Sequence, residues 1–450
     1  MRYKIKKEFM QKKKIAVIGA GIAGLTCAYE LNKAGHEVVV FEKEDCLGGR
    51  MSTRVKNGFA MDTGANHLAN VYTEMRKYVD ELGLTWKPME FLNYKVLKNG
   101  ELLPLLDALG HWSKFRLGIQ AMLHKNTDIN YFELGSAVKY DTDTAAHYAK
   151  SKISKEALDY LIEPFASTYQ FHGADEISLA VIYAMIRSHY TYTKDWDLHQ
   201  IKGGMIALNQ ALAKGLDVRL STSVKSVEVV GDKVKVDSEE YNSVVIATTA
   251  NEALKFLDSP TEAQKELLEN TKYASTVGVG FEVSKDLLGD ITIGWMPSVE
   301  SPNISGFTNE RMKGDNMVQG DKTLILAWCH EDFGKSIMDK NDEEIFEIMK
   351  EELVKICPLI SDKNMLKNHD LQRWPYAMPK FSQGHITRVK NFQDNHQGEN
   401  NIYLTGDYMN APWTEGALRN GKAVADSLSS RIRPELMPKG AQSRDPFLTS

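Results

Sequence analysis

Residues 14–50 read KIAVIGAGIAGLTCAYELNKAGHEVVVFEKEDCLGGR, and the fold turns on this stretch. Ile15 to Ile18 is a short apolar run rich in β-branched residues, the pattern of a buried parallel strand. It leads into Gly19-Ala20-Gly21-Ile22-Ala23-Gly24, a G-x-G-x-x-G turn. Leu25, Ala28 and Tyr29 follow at helical spacing, and Gly35 stands where a helix would stop. Val38 to Phe41 reads as a second buried strand, ending at Glu42.

Each part has a physical job in dinucleotide binding. Gly19 allows the tight turn, Gly21 lets a pyrophosphate approach the backbone, and Gly24 lets the helix pack close to the strand. The helix amino end, at Ala23, offers free N–H groups and a partial positive charge to phosphates. Glu42 is placed to accept hydrogen bonds from ribose hydroxyls, and a carboxylate there repels a 2′-phosphate. Lys43 lies beside it.

Leu47-Gly48-Gly49-Arg50-Met51 follows directly, then Gly58 through Asp62-Thr63-Gly64-Ala65-Asn66. With the fingerprint before it, this resembles the FAD-binding entry of the flavin amine oxidase superfamily, which includes protoporphyrinogen oxidases and carotenoid desaturases. The resemblance implies that Gly48 and Gly49 bring a second loop to the pyrophosphate and that Arg50 adds charge.

Two further segments extend the resemblance. Residues 202–250 run helix, strand, hairpin, strand, with Val224 where relatives hold the adenine by a backbone group. Near the end come Gly406-Asp407-Tyr408 and Trp413-Thr414-Glu415-Gly416-Ala417. There the resemblance implies a carboxylate at Asp407 for ribityl or pyrophosphate-side groups. It also implies a helix amino end at Glu415–Ala417 facing the flavin pyrimidine carbonyls. Gln372–His385 resembles the superfamily's W-x-x-A-x-P segment beside the flavin, which brings Trp374 forward. Trp374, Trp413 and Tyr408 are the candidates to face the reacting atoms. Trp413 stands where amine oxidases carry a cage tyrosine, so an amine substrate stays open without being compelled.

The implied fold is α/β, with an α+β substrate part. A Rossmann-like FAD domain (10–69, 200–256, 386–432) is interrupted by a mixed-sheet-plus-helices substrate domain (70–199, 257–385), with a polar tail at 433–450. The 450 residues suit two or three domains. A net charge of −5 gives no global attraction to nucleic acid. Cys27, Cys46, Cys329 and Cys357 form no C-x-x-C and no zinc spacing, so no metal is expected and a reducing, cytoplasmic setting is the simplest fit. Residues 1–14 are basic without an apolar h-region and read as a frayed leader.

In the middle of the chain, Thr73–Leu82 reads as a helix, and Phe91–Pro104 as a hairpin about Asn99-Gly100. Residues 102–123 carry Leu105, Leu109, Trp112, Phe115, Ile119 and Met122 on one side. Two readings stay open: a lid packed on the substrate domain, or an interfacial helix that meets a membrane peripherally. Asp143–Phe165 reads as a helix ending near Pro164. His189, Tyr190, Tyr192, Trp196 and His199 would wall a flat substrate or simply pack domains together.

The chemistry implied is hydride removal from a hydrophobic small molecule to non-covalent FAD, with oxygen or quinone as acceptor. His385 is the one nearby side chain with a covalent alternative. Two other readings remain: oxidation of an amine or amino acid with release of hydrogen peroxide, and a non-enzymatic binder on the same fold. The oligomeric state is not legible.

Overall fold

A computed structural model describes residues 12–126, 128–192, 197–314 and 317–429, without the side chains of 189–192. Most of the basic leader and all of the polar tail lie outside the described residues. So do the side chains of His189, Tyr190, Tyr192 and Trp196.

Strand β1 (Lys14–Ile18) pairs in parallel with β2 (Glu37–Phe41) on one side and with Ser243–Ile246 on the other. Asp217–Arg219 joins beyond β2, and Ile402–Leu404 forms the far edge. The five-stranded sheet is parallel throughout, and its three central strands are buried on both faces, which is why they are near-continuous aliphatic runs. Helix α1 (Ile22–Lys33) crosses from β1 to β2 and buries Leu25, Cys27, Ala28 and Leu31. The helix Thr414–Ser429 packs against it. Their approach is backbone to backbone: a Cβ at Gly421 would lie 2.2 Å from the Ala23 carbonyl oxygen. Phe256, Leu267, Val389 and Phe392 cover the opposite face.

A seven-stranded sheet forms the second body. In order its strands are Lys367–Pro379, Tyr273–Ser284, Lys322–Cys329, Ile304–Asn309, Ile293–Trp295, Tyr94–Lys98 and Glu101–Pro104. Every pairing is antiparallel except Ile293–Trp295 with Tyr94–Lys98. Asn99 and Gly100 both take positive φ, 53° and 77°, the turn that matches strand twist in a tight hairpin. Helix Asp342–Ile356 covers one face, its start fixed by reciprocal bonds between Asn341 and Glu344.

Three expectations change. The stretch 143–165 is not one helix. An α-turn at Ala145–Tyr148 runs through wider π-turns, breaks at Ser154 (φ −169°), and resumes to Tyr169. Pro164 does not end it; the wider π-turn at Leu158–Ile162 precedes Pro164, loosening the run where the ring offers no N–H. Residues 102–104 of the apolar stretch are strand, and helix α3 spans only His111–His124. The first strand of the hairpin expected within 202–250 spans Val227–Val230, and Val224 lies in the loop before it.

Candidate functional site

A cleft of about 1720 Å³ lies between the carboxyl edge of the parallel sheet and the mixed sheet. That exceeds the roughly 300–1,000 Å³ of a pocket for one drug-sized ligand, so it has room for a dinucleotide and a second molecule.

The glycine turn forms one end. Gly19 takes φ +106°, and a Cβ on it would lie 2.9 Å from the Ala247 carbonyl oxygen. Gly21 starts α1 with no side-chain cap and no acid in the first turn, so its amino end is free to take an anion. The Gly48 N–H donates to the Ala20 carbonyl at 2.9 Å and sets the second glycine loop beside the first. A Cβ on Gly21 or Gly49 would meet nothing nearer than 4.0 or 3.9 Å, and that open space is where a bulky group can approach both backbones. Glu42 braces the turn itself: its carboxylate accepts the N–H of Ala20 at 2.7 Å and of Glu44 at 3.0 Å. Lys43 lies 3.8 Å from both Glu44 and Glu252. Val224 lines the same end.

The middle of the cleft is bridged. Arg50 makes a two-pronged ion pair with Asp407, Nη1 to Oδ2 at 2.7 Å and Nη2 to Oδ1 at 3.0 Å. Nη1 also donates to the Ala377 carbonyl at 2.9 Å. Ala23, Gly64, Ala65, Asn66, Gly406 and Ala417 line the walls nearby.

Four candidates do not line the cleft. Gly24 packs under the turn, where a Cβ would sit 2.0 Å from the Gly19 carbonyl oxygen. Tyr408 is buried in the sheet core, and Gly416 packs on Ala411. Glu415 is fully buried and turned to helix α2 (Thr73–Glu81): its carboxylate accepts the first-turn N–H groups of Glu74 and Met75, both at 2.9 Å. Arg419 Nε donates to it at 2.9 Å. His385 is likewise buried away from the cleft, its Nε2 donating to the Tyr408 carbonyl.

The other end is an aromatic chamber. Trp374 hangs in it by a bond from Nε1 to the Thr63 carbonyl at 2.7 Å. Trp413 stacks on Tyr131, ring centres 4.2 Å apart and 12° from parallel. Tyr94, Phe165 and Tyr169 meet Trp295 edge-to-face, and Phe165 tilts at 45° onto Tyr169, with centres 5.2–6.3 Å apart. The Trp328 ring lies flat on the strand at Gly278, where any Cβ would collide with it at 2.1 Å. None of these six wall residues — Tyr94, Tyr131, Phe165, Tyr169, Trp295, Trp328 — stood out in the sequence, because they come from five separate segments, three of them strands, one a helix and one a turn. His199 stacks on Trp86 instead, outside the chamber. Behind the wall, Lys313 lies buried between Asp62 (2.7 Å) and Glu310 (2.5 Å). Burial alone would lower its pKa, but the two carboxylates together hold it above the usual lysine value.

Helix α3 turns its apolar side outward. Trp112, Phe115, Met122 and Leu123 are 66, 58, 66 and 67% exposed, and Trp112 stacks on Phe115. Among the described residues no helix is long and apolar enough to cross a membrane.

Comparison with known proteins agrees over most of the chain. A sequence profile described as flavin containing amine oxidoreductase matches residues 22–429. Protoporphyrinogen oxidase 2 of Arabidopsis thaliana is 28% identical over 184 residues, 38% of this chain and 35% of that protein, so the chain spans about a third of that relative. Coproporphyrinogen III oxidase of Staphylococcus aureus is 22% identical, with 93% of this chain and 100% of that protein aligned. A solved structure from an Exiguobacterium species, a candidate protoporphyrinogen oxidase, superposes with a TM-score of 0.76 at 18% identity, covering 94% of this chain and 99% of its own.

Proposed function

The chain belongs to the flavin-containing amine oxidoreductase family, and from that premise we propose that it is an FAD-dependent oxidoreductase that removes hydride from a flat, neutral, apolar small molecule. The observation that carries this reading is the continuity of the glycine cradle with the aromatic chamber in one cleft.

The cradle suits FAD on its own geometry. The uncapped amino end of α1 and the open space over Gly21 and Gly49 suit the pyrophosphate. Glu42 suits the ribose hydroxyls, Val224 the adenine, and Arg50 with Asp407 the ribityl side. Trp374 and Trp413 bound the space for the ring system. Gly24, Glu415 and Gly416 then shape the site through packing rather than contact. When bound, FAD supplies the two-electron acceptor. With no cysteine after Cys357 and His385 buried elsewhere, non-covalent FAD is the reading we adopt. Oxygen or a quinone then takes the electrons. Residues 10–69, 200–256 and 386–432 serve as the FAD domain, and 70–199 with 257–385 as the substrate domain.

The protein's part is to orient the substrate and keep water out. The chamber rings supply flat apolar contact. The cleft-lining carboxylates are Glu42, Glu44, Asp45, Glu252 and Asp407, all at the cofactor end or paired with Arg50. A protonated amine therefore finds no counter-charge among the described chamber residues, which favours a neutral substrate over an amine. Anaerobic addition of porphyrinogens, polyenes and amines to the yellow protein tests this. Bleaching of the flavin by a neutral apolar compound is expected; bleaching by amines alone, with peroxide released in air, would favour the second reading. A colourless protein that takes up no FAD would favour a binder without catalysis.

The outward apolar side of α3 supports the interfacial reading over the lid, since a lid would bury Trp112 and Phe115. Cosedimentation with anionic vesicles tests it, and a protein that stays in solution at low salt counts against membrane contact.

A further inference from the structure

We propose that His67 presents a fixed hydrogen-bond acceptor to the substrate chamber, so that the site selects an apolar molecule bearing an N–H or O–H donor. This rests on the flavoenzyme reading above and narrows its substrate class.

The inference starts from a chain of hydrogen bonds whose direction is set at one end. Glu310 is fully buried and ion-paired to Lys313, so its carboxylate only accepts. The Thr308 hydroxyl donates to Glu310 Oε1 at 2.8 Å. That leaves the hydroxyl oxygen to accept, and Asn66 Nδ2 donates to it at 3.1 Å. The amide orientation of Asn66 is thereby fixed, with Oδ1 turned the other way. His67 Nδ1 lies 2.6 Å from that oxygen, and an amide oxygen cannot donate. Nδ1 must carry the proton, and Nε2 must carry a lone pair.

His67 lines the cleft, and its Nε2 has no hydrogen-bond partner among the described residues. Tyr169 holds the ring edge-to-face at 5.9 Å. Burial, with Lys313 nearby, pushes its pKa down to about 4, so the imidazole stays neutral in ordinary conditions. A neutral acceptor in an aromatic chamber discriminates by what a ligand leaves unpaired. A donor-bearing molecule satisfies Nε2, whereas a pure hydrocarbon or an N-methylated analogue strands it.

The test compares indole with N-methylindole, binding to the FAD-loaded protein by calorimetry, alongside ¹⁵N-histidine NMR. Wild type is expected to prefer indole by about three- to tenfold. His67→Phe should abolish the preference, and His67→Gln, which keeps an acceptor, should restore part of it. Thr308→Val, which keeps the shape of the wall and cuts the chain behind Asn66, should also shrink it. The signal missing from His67→Phe should be that of a neutral ring protonated at Nδ1. Equal affinity for the two probes in wild type, an unchanged preference in His67→Phe, or an Nε2-protonated ring at pH 7 would each overturn the proposal. Because FAD content is measured separately before each titration, a protein that takes up no FAD would indict the flavoenzyme reading instead.

Discussion

Glu42 does two tasks with one carboxylate. It braces the glycine turn through Ala20 and Glu44, and it faces the space assigned to ribose. Glu42→Arg removes both bonds and puts a bulky cation where hydroxyl partners are needed. Each charge-assisted bond is worth about 1.5–3 kcal/mol, so FAD affinity should fall by at least tenfold. Flavin content after purification measures this, and undiminished content would show the ribose contact to be misplaced. Glu163 makes a different prediction, about pH. Burial raises its pKa to about 7, partly offset by bonds from Ser298. The unfolded value is about 4.3. The folded state thus holds a proton that the unfolded state has lost, and this stability is complete below about pH 4.3 and is lost as pH rises through 7. The melting temperature of wild type relative to Glu163→Gln should therefore fall between pH 5 and 8. A constant difference across that range would remove Glu163 as the cause.

At the scale of elements, helix α2 shows why a motif can be read correctly in place and differently in contact. The Glu415-Gly416-Ala417 turn does open a helix, but the Glu415 carboxylate caps α2 from outside its own segment. Glu415→Ala leaves two first-turn N–H groups unpaired and takes one partner from Arg419, which keeps its bond to Thr73, at a cost of about 2–4 kcal/mol. Urea unfolding measures it; a loss under about 0.5 kcal/mol would mean water replaces the cap. Helix α3 predicts the opposite profile. Trp112→Glu with Phe115→Glu should abolish vesicle binding yet leave the unfolding midpoint nearly unchanged, because both rings are exposed.

The legible elements are those whose chemistry is complete within a short window. From Lys14 to Arg50 the strand, turn, helix and acid all lie together, and the Asn99-Gly100 hairpin needs only its own turn. The strand Lys367–Pro379 was not legible. Its partner register shifts at Ala274/Thr276 and Gly280/Phe281, so strict alternation is lost, and Pro375 is tolerated because it falls within the first shift on an edge strand. The π-turns around Ser154 and the chamber wall escaped for the same reason: tertiary neighbours decide them, not local spacing.

For the whole molecule, Arg50 and Asp407 matter most, because they join the two ends of the chain across 357 residues inside the cleft. The pair is only partly buried, so its own net contribution to stability is modest, on the order of 1 kcal/mol. Its larger effect should come through FAD, which binds the folded chain alone. At a hundredfold excess over its dissociation constant, such a ligand adds about 2.7 kcal/mol to stability. Asp407→Asn keeps the shape but removes the charge that holds Arg50 against the flavin side. The apoprotein should lose little, whereas the FAD concentration needed for a given rise in melting temperature should increase about tenfold, the equivalent of one charge-assisted bond. Melting curves of apoprotein and variant across an FAD titration separate the two effects. If the variant's apoprotein melts much earlier while its FAD dependence is unchanged, the fork is a structural tie between sheet and loop, and the cofactor's ribityl side must be held by other groups.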